Sequence, residues 1–306
     1  MEKVLITGIA GGQGRLLARR LRERFDVIGV DRSPWDEGTP RGVTFHQVDV
    51  RKKKFEDVIR IEQPKAIVHL GFIRHFRSSD RERYDVNVRG TRQLLDHCVH
   101  HGVQNLVVLS SHYVYGAAPE NPFFMDEDAP LSASRSYPAI RDLVEVDTLA
   151  STFLWRYPHI RTCVLRPVNV LGEYVHSMAG QYLRERRVLT VLGFDPMMQF
   201  VHEQDVSDAI ALSLENDLQG VFNVTGPGEV PLHTAIRETG GAAVPMPEPL
   251  LRLTISQLFR FGFVPFPSGA VDYLKYPVTV SGARFAEATR FKPLFSLEEI
   301  FESVRR

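Results

Sequence analysis

The first half of the chain alternates short apolar runs with segments whose apolar residues recur at helical spacing. Six apolar runs are typical of strands: 3–7, 26–30, 43–48, 66–70, 105–110 and 161–166. The helical spacing covers 14–24, 55–63, 87–102 and 139–157. Because neighbouring parallel strands need a covering connection, this alternation predicts a doubly wound α/β domain around a parallel sheet.

After residue 167 the alternation breaks into short strands and Pro/Gly-rich turns. No flexible linker separates the two parts. We therefore expect a sheet domain over 1–167 and a smaller α/β substrate lobe over 168–306, interleaved with the end of the sheet. Prolines bracket an amphipathic helix within 244–267. This helix either packs on the lobe or forms a hydrophobic substrate lid or partner surface.

Composition restricts the partners. The 306 residues are 43% hydrophobic and 24% charged, and 37 basic side chains balance 37 acidic ones, which argues against nucleic acid. Cys98 and Cys163 lack a metal-ligand spacing, so we expect buried thiols and no metal site. The chain has no apolar run of about 18 residues and no signal peptide, which predicts a cytoplasmic protein without stable membrane insertion.

Three glycines follow the first predicted strand where it turns into a helix. Gly8, Gly11 and Gly14 are spaced three apart in "TGIAGGQGRLLARRL". Glycine allows a sharp bend and a close approach to a pyrophosphate, and the free N–H groups of a helix start attract that anion. This loop is typical of a Rossmann-like dinucleotide site.

Acidic residues follow the next two strands. Asp31 lies 20 residues after Gly11, where a carboxylate accepts the ribose hydroxyls and repels a 2′-phosphate. NAD is therefore favoured over NADP, although the neighbouring Arg32 offers a guanidinium to such a phosphate. The Asp49 carboxylate is suited either to accept a hydrogen bond from an adenine amine or to cap the end of its strand.

Nine ordered segments resemble the extended short-chain dehydrogenase/reductase superfamily, and within it the NAD-dependent epimerase/dehydratase family. They are "TGIAGGQG", "VDRS", "HLGF", "NVRGT", "LSSHYVYG", "YPAIRDLVE", "RPVNVLG", "FVHEQDV" and "FNVTGPG". The resemblance implies that Tyr137 is the acid/base, that Ser111 orients the reacting oxygen, and that Arg141 replaces the lysine of Y-x-x-x-K.

The spacing of four predicts that Tyr137, Arg141 and Glu145 share one helix face. Arg141 supplies a positive charge near the phenol, but a planar guanidinium does not reproduce the two ribose contacts of a compact ammonium. The alternative is that Arg141 only pairs with Glu145 on a solvated surface.

The resemblance also implies a set of ligand contacts. Cofactor contacts are expected at Gly8, Gly11, Gly12, Gln13, Gly14, Asp31, Arg32, Asp49, Val50, Leu70, Gly71, Phe72, Asn87, Ser110, Tyr137, Arg141 and Pro167. Substrate contacts are expected at Ser111, His112, Tyr113, Asn169 and Met198.

Two departures from the family pattern narrow the chemistry. His112 and Tyr113 occupy the positions where sugar-nucleotide dehydratases carry Asp-Glu, so dehydration of that type is not expected. The His112 side chain either supplies a proton to the reaction or fills space in the core and forms hydrogen bonds. Met198 replaces an arginine that grips the diphosphate in nucleotide-sugar enzymes. The other arginines suited to that role are Arg184, Arg260 and Arg284.

Together these features predict an NAD-dependent oxidoreductase that transfers a hydride at a secondary alcohol of a sugar, nucleotide sugars included, or of another hydroxylated substrate. Met197, Met198 and the Phe-rich 259–266 run keep an apolar lipid- or sterol-like alcohol as an alternative. A non-catalytic NAD sensor or scaffold is the remaining alternative. The resemblance alone implies a homodimer through the 87–102 and 139–157 helices.

Overall fold

The computed structural model describes residues 1–35 and 38–305. Its centre is a seven-stranded parallel sheet with the order β10-β6-β5-β4-β1-β2-β3. The strands are β1 (Lys3–Thr7), β2 (Asp26–Asp31), β3 (Val43–Gln47), β4 (Ala66–His69), β5 (Asn105–Leu109), β6 (Arg161–Pro167) and β10 (Gly220–Val224). The predicted parallel sheet is confirmed, with strand ends within one or two residues of those expected.

Helices cover both faces of this sheet. They are α1 (Gly12–Leu21), α2 (Lys53–Glu62), α3 (Asp80–Tyr84), α4 (Gly90–His100), α5 (Ala133–Ser136), α6 (Arg141–Arg156), α7 (Met178–Leu183), α8 (Glu203–Glu215), α9 (Leu232–Glu238), α10 (Glu248–Arg260), α11 (Ala283–Thr289) and α12 (Leu297–Glu302). One core cluster contains Leu17 and Ile210 from α1 and α8, and the other contains Phe55, Leu94 and Phe153 from α2, α4 and α6. The helices on two faces confirm the doubly wound α/β class.

The second half of the chain forms two small sheets. One contains β7 (Asn169–Leu171), β9 (Met197–His202) and β11 (Glu229–Pro231), and the other contains β8 (Arg187–Val191) and β12 (Ala242–Met246). β10 nevertheless returns to the edge of the large sheet beside β6. This return fits the expected interleaving, and the domain boundary at residue 167 stays a prediction.

The strand order creates a crevice at the carboxyl edge of the sheet. From β1 the chain passes outward to β2 and β3, and it then crosses to β4 on the other side of β1. Ligands of open α/β sheets bind outside the carboxyl ends of the strands at such a switch point. The ends of β1, β4, β5 and β6 therefore position the candidate site.

Further structural facts bear on the composition arguments. Cys98 and Cys163 are buried free thiols, as expected. Within residues 1–35 and 38–305, no helix is both long and apolar enough to cross a membrane.

Candidate functional site

The glycine loop connects β1 to α1 in a conformation that side chains would obstruct. Gly8 has φ +74°, in the left-handed region that favours glycine, and a Cβ there would lie 2.8 Å from the Cα of Gly71. A Cβ on Gly14 would lie 2.6 Å from the Cα of Ile9, within the same loop. The start of α1 is thereby held against the ends of β1 and β4, with Gly11 facing a cavity.

The acidic group expected at the ribose lies beside this loop. Asp31 ends β2, and its carboxylate accepts the N–H groups of Ala10 (3.0 Å) and Ser33 (2.9 Å). Arg32 forms an ion pair with Glu82 at 3.3 Å, so its guanidinium is engaged away from Asp31. A half-exposed carboxylate held against the glycine loop fits an adenosine ribose.

Asp49 is engaged by its neighbour. Arg51 donates from Nε and Nη2 to this carboxylate at distances of 2.6–3.2 Å. This hydrogen bonding holds the pKa of Asp49 below its usual range. The structure thus supports the strand-end interpretation more directly than the adenine contact.

A cavity of 1330 Å³ extends from the glycine loop across the carboxyl ends of the strands. Sites for small molecules and cofactors usually have about 300–1,000 Å³, so a dinucleotide and a second molecule have room here. Its wall contains these residues from the predicted set: Gly8, Gly11, Gly12, Gln13, Gly14, Leu70, Phe72, Ser111, Tyr113, Tyr137, Pro167 and Asn169.

Tyr137 reaches this cavity as a buried phenol. The residue is 1% exposed, and its hydroxyl has no hydrogen-bond partner among the described residues. Burial, together with the neighbouring phenol of Tyr113, raises its pKa well above the ordinary value for tyrosine. A buried hydroxyl without a partner costs free energy, which is typical of a group that awaits a ligand.

The shared helix face expected for Tyr137, Arg141 and Glu145 is wrong. Pro138 disfavours the α conformation at the preceding residue, and Tyr137 has φ −132° and ψ 76°. A 3₁₀ turn over Pro138–Ile140 follows, and α6 begins only at Arg141, which is exposed. Arg141 does not belong to the cavity wall formed by the described residues.

The expected alternative pairing of Arg141 with Glu145 is also not seen. Glu145 accepts a hydrogen bond from the Tyr84 hydroxyl at 3.3 Å and lies 3.8 Å from Arg92. Neither of the two arrangements that the spacing suggested for Arg141 is therefore seen in the structure.

Ser111 and His112, which follow β5, have different surroundings. Ser111 lies on the cavity wall, where its hydroxyl accepts the N–H of Tyr113. His112 is 2% exposed and donates from Nδ1 to the Pro167 carbonyl, and burial lowers its pKa to about 4. At neutral pH His112 is uncharged and belongs to the packed interior, which favours the packing alternative over proton supply.

The substrate side of the cavity has an amide and a phenol in contact. The Tyr113 hydroxyl donates to Asn169 at 2.6 Å, and Asn169 donates to the Gln199 carbonyl at 2.9 Å. Met198 instead pairs with Val230 between β9 and β11, outside the cavity wall as described. The structure thus places Asn169 and Tyr113 at the cavity but not Met198.

Several expected cofactor residues act within the protein framework. Ser110 donates to Asp147, which forms a buried ion pair with Arg166. Gln13 lies on the wall, yet its amide donates to the Glu203 carbonyl and to Ser207 on α8. Two further expected residues, Val50 and Asn87, are buried.

A sequence profile places the chain among known proteins. The profile of the NAD dependent epimerase/dehydratase family matches residues 4–225. The chain belongs to this family. The resemblance seen in the sequence is thus confirmed. The family depends on NAD, which is also the cofactor expected from Asp31.

Relatives agree with this placement. An uncharacterized protein of Mycobacterium tuberculosis is 28% identical over 253 residues, covering 80% of this chain and 67% of the relative. The 3 beta-hydroxysteroid dehydrogenase type 7 of Homo sapiens is 30% identical, covering 59% of this chain and 53% of the relative. A solved UDP-glucose 4-epimerase of Thermus thermophilus in complex with NAD is similar at 23% identity with a TM-score of 0.77, covering 99% of this chain and 97% of the other. At 23% identity, the likeness to this solved structure shows that the two chains share a fold.

Within this epimerase/dehydratase framework, sequence reasoning overlooked a cation at the cavity. Arg74 donates from Nη2 to the Leu109 carbonyl (2.5 Å) and from Nη1 to the Ser110 carbonyl (3.3 Å) at the end of β5. Burial lowers its pKa to about 10, so the guanidinium stays charged at neutral pH. No motif points to Arg74, because it lies in the irregular segment after β4.

The far end of the cavity is apolar. Ile255 and Leu258 from α10, Tyr182 from α7 and Leu189 from β8 line it, and the Phe266 ring lies 6.0 Å from the Tyr182 ring. The proline-bracketed helix therefore contributes to a substrate-side wall.

Of the three arginines suggested for a diphosphate, only one lies on the cavity wall among the described residues. Arg184 is that residue, and it also donates to the Gly172 carbonyl at 2.7 Å. Arg284 instead pairs with Glu127 (3.2 Å) and Asp128 (2.6 Å), and Arg260 is exposed. Of these three arginines, Arg184 is thus the one placed to contact an anion in the cavity, whose wall also includes Arg77 and Arg187.

A histidine cluster lies away from this cavity. Glu56 on α2 and His97 and His101 around the end of α4 bring ligand atoms within 4.8 Å of one another. The sequence expectation of no metal site did not consider this pair of histidines, spaced four apart.

Proposed function

We propose that this chain is an NAD-dependent oxidoreductase that exchanges a hydride with the carbon of a secondary alcohol. The observation that carries the proposal is that two hydroxyl-bearing residues line the cavity that begins at the glycine loop: Ser111, and Tyr137, whose hydroxyl has no hydrogen-bond partner among the described residues. Membership in the NAD dependent epimerase/dehydratase family supports it.

The glycine loop fits NAD, because the backbone at Gly8 and Gly14 is packed so closely that a Cβ at either position would collide with other backbone atoms. The start of α1 would hold the pyrophosphate, Asp31 the adenosine ribose, and Leu70, Phe72 and Pro167 would line the rest. Bound NAD supplies a hydride acceptor and, once reduced, a hydride donor.

The chain's own hydroxyls handle the proton. Tyr137 takes the proton from the substrate hydroxyl during oxidation and returns it during reduction, and Ser111 donates to the reacting oxygen and fixes its direction. Such a proton transfer contributes about 10²–10⁴ in rate. Reduction of the transient ketone from its other face would invert the carbon, so epimerisation needs no additional acid.

The substrate is a sugar, in keeping with the similarity to the UDP-glucose 4-epimerase 2 of Oryza sativa subsp. japonica, which is 27% identical over 202 residues. Arg184 offers an anion contact on the same wall. A second candidate is an apolar secondary alcohol. The apolar walls from α10, α7 and β8 favour it, as does the similarity to a 3 beta-hydroxysteroid dehydrogenase.

We further propose a homodimer through α4 and α6 in a cytoplasmic setting. Trp155 supports the dimer, because this large side chain is 81% exposed near the end of α6. The two unpaired buried thiols support the setting. Trp155→Glu should halve the molar mass measured by light scattering; an unchanged mass would remove the argument from Trp155.

The test is turnover of a panel of nucleotide sugars and apolar secondary alcohols, with NADH formation as the measure of net oxidation and chromatography of the epimers as the measure of a hydride that returns to the same substrate. We expect Tyr137→Phe and Ser111→Ala to lower kcat by at least about 100-fold without weakening NAD binding, whereas Arg141→Gln stays within a few-fold of the parent. Unchanged turnover in Tyr137→Phe would refute the acid/base role. Binding of NAD without turnover on any alcohol would favour a non-catalytic sensor.

A further inference from the structure

A buried arginine lies behind the catalytic tyrosine candidate. Arg83 on α3 is 4% exposed, and its guanidinium carbon lies 4.8 Å from the centre of the Phe76 ring. That ring lies 5.7 Å from the ring of Tyr137. Arg83 also donates to the Ala139 carbonyl, two residues after Tyr137, and so contacts the turn that directs the phenol into the cavity.

Two carboxylates lie near the Arg83 guanidinium, one exposed and one buried. Its Nη2 lies 4.0 Å from the buried Asp142 carboxylate and 3.1 Å from Asp80, whose side chain is 94% exposed. Asn87 donates to Asp142 at 2.6 Å, which fixes this carboxylate at the start of α6. Nε of Arg83 and Oδ1 of Asp142 have no hydrogen-bond partner among the described residues, so no hydrogen bond ties this arginine to the buried carboxylate. Arg83 lies against the Phe76 ring beside Tyr137, and its positive charge acts on the neighbouring phenol.

We propose that Arg83, held by Asp142 and the Ala139 carbonyl, is the positioning cation that lowers the cost of ionising Tyr137, the role that sequence spacing gave to Arg141. The proposal rests on the proposed function, because it concerns the acid/base of that reaction. Arg83 acts through Tyr137 and does not itself meet the substrate.

The electrostatic surroundings of Tyr137 decide the direction of the effect. Burial and the phenol of Tyr113 raise the pKa of Tyr137, whereas Arg83 opposes them. A positive charge separated from a phenol by one aromatic ring in a low-dielectric interior shifts its pKa by about one unit or more, roughly tenfold in phenolate at a given pH. The other titratable and charged groups around this part of the cavity are Tyr273, Arg74, His75 and Arg77.

Asp142 allows the direction of the pKa shift of Tyr137 to be tested, because its charge is opposite to that of Arg83. Removing the positive charge in Arg83→Gln should raise the pKa of Tyr137, and removing the negative charge in Asp142→Asn should lower it. A purely structural pair would lose activity in both variants, with no opposite shifts. Arg83→Lys keeps the charge and should stay near the parent.

The measurement is a ¹⁹F NMR titration of the full-length protein carrying 3,5-difluorotyrosine, which lowers the phenol pKa into an accessible range. Tyr137→Phe identifies the resonance by its loss, and Arg141→Gln is the matched control for an exposed arginine. We expect an upward shift of about one pKa unit in Arg83→Gln, a downward shift in Asp142→Asn, and no shift in Arg141→Gln. The acidic limb of kcat against pH should move in the same directions.

Two outcomes would overturn the proposal. One is a shift in Arg141→Gln that equals or exceeds the shift in Arg83→Gln, and the other is a shift of the same sign in Arg83→Gln and Asp142→Asn. The titration needs neither substrate nor turnover. The opposite shifts would therefore stand even if no alcohol were oxidised, and that second result would count against the proposed function alone.

Discussion

Asp147 supports the floor of the site, and its removal should destabilise the whole domain. Its carboxylate is fully buried and accepts Nη2 of Arg166 at 2.6 Å, Nε of Arg166 at 2.9 Å and the Ser110 hydroxyl. Asp147→Ala leaves the Arg166 guanidinium buried without its counter-charge. Breaking a buried pair from one side costs about 3–5 kcal/mol.

The expected shift in melting temperature follows from the size of the chain. An unfolding entropy of about 2.1 cal/mol/K per residue over 306 residues gives roughly 0.6 kcal/mol/K, so the loss corresponds to about 5–8 °C. Urea unfolding followed by circular dichroism measures the free energy directly. Arg24→Ala, which breaks a pair with Glu215 on a side chain that is 59% exposed, is the control and should cost less than about 1 kcal/mol. A loss in Asp147→Ala no larger than the control would refute the reasoning.

Two further predictions concern pH and the glycine loop. Burial lowers the pKa of His112 from 6.5 to about 4. Between these pH values the folded protein therefore binds fewer protons than the unfolded chain. The free energy of unfolding should have its full value above about pH 6.5 and fall by up to about 3 kcal/mol towards pH 4. His112→Gln should flatten part of that slope in urea titrations at successive pH values, and an unchanged slope would contradict the neutral buried imidazole. Gly14→Ala should weaken NAD binding at least about tenfold in calorimetry, because its Cβ would meet the backbone of Ile9; equal affinity would show that the loop adapts.

The sheet and the cofactor loop could be predicted because their signals are local. Apolar runs such as 3–7 and 161–166 marked strands that the structure places inside the sheet, with a neighbouring strand on each side, and the spacing of Gly8, Gly11 and Gly14 marked the turn into α1. Asp31 followed from its position at the end of the second strand.

The acid/base surroundings were less predictable, because they depend on contacts between distant segments. A four-residue spacing indicates a shared face only within a continuous helix, and Pro138 ends that continuity after Tyr137. Arg83 and Asp142 lie 59 positions apart in sequence and meet only because α3 packs beside the start of α6. Neither residue belongs to a motif, and periodicity does not reveal a buried charge.

NAD binding by the glycine loop and Asp31 at the edge of the sheet is the proposal on which the others depend. The most direct test is calorimetric titration of the purified chain with NAD, NADH, NADP and NADPH, repeated with Asp31→Ala and with Arg141→Gln as a control. We expect NAD(H) binding in the micromolar range, weaker NADP(H) binding, loss of NAD(H) affinity in Asp31→Ala and no loss in Arg141→Gln. Failure to bind any dinucleotide, or full NAD affinity in Asp31→Ala, would contradict it.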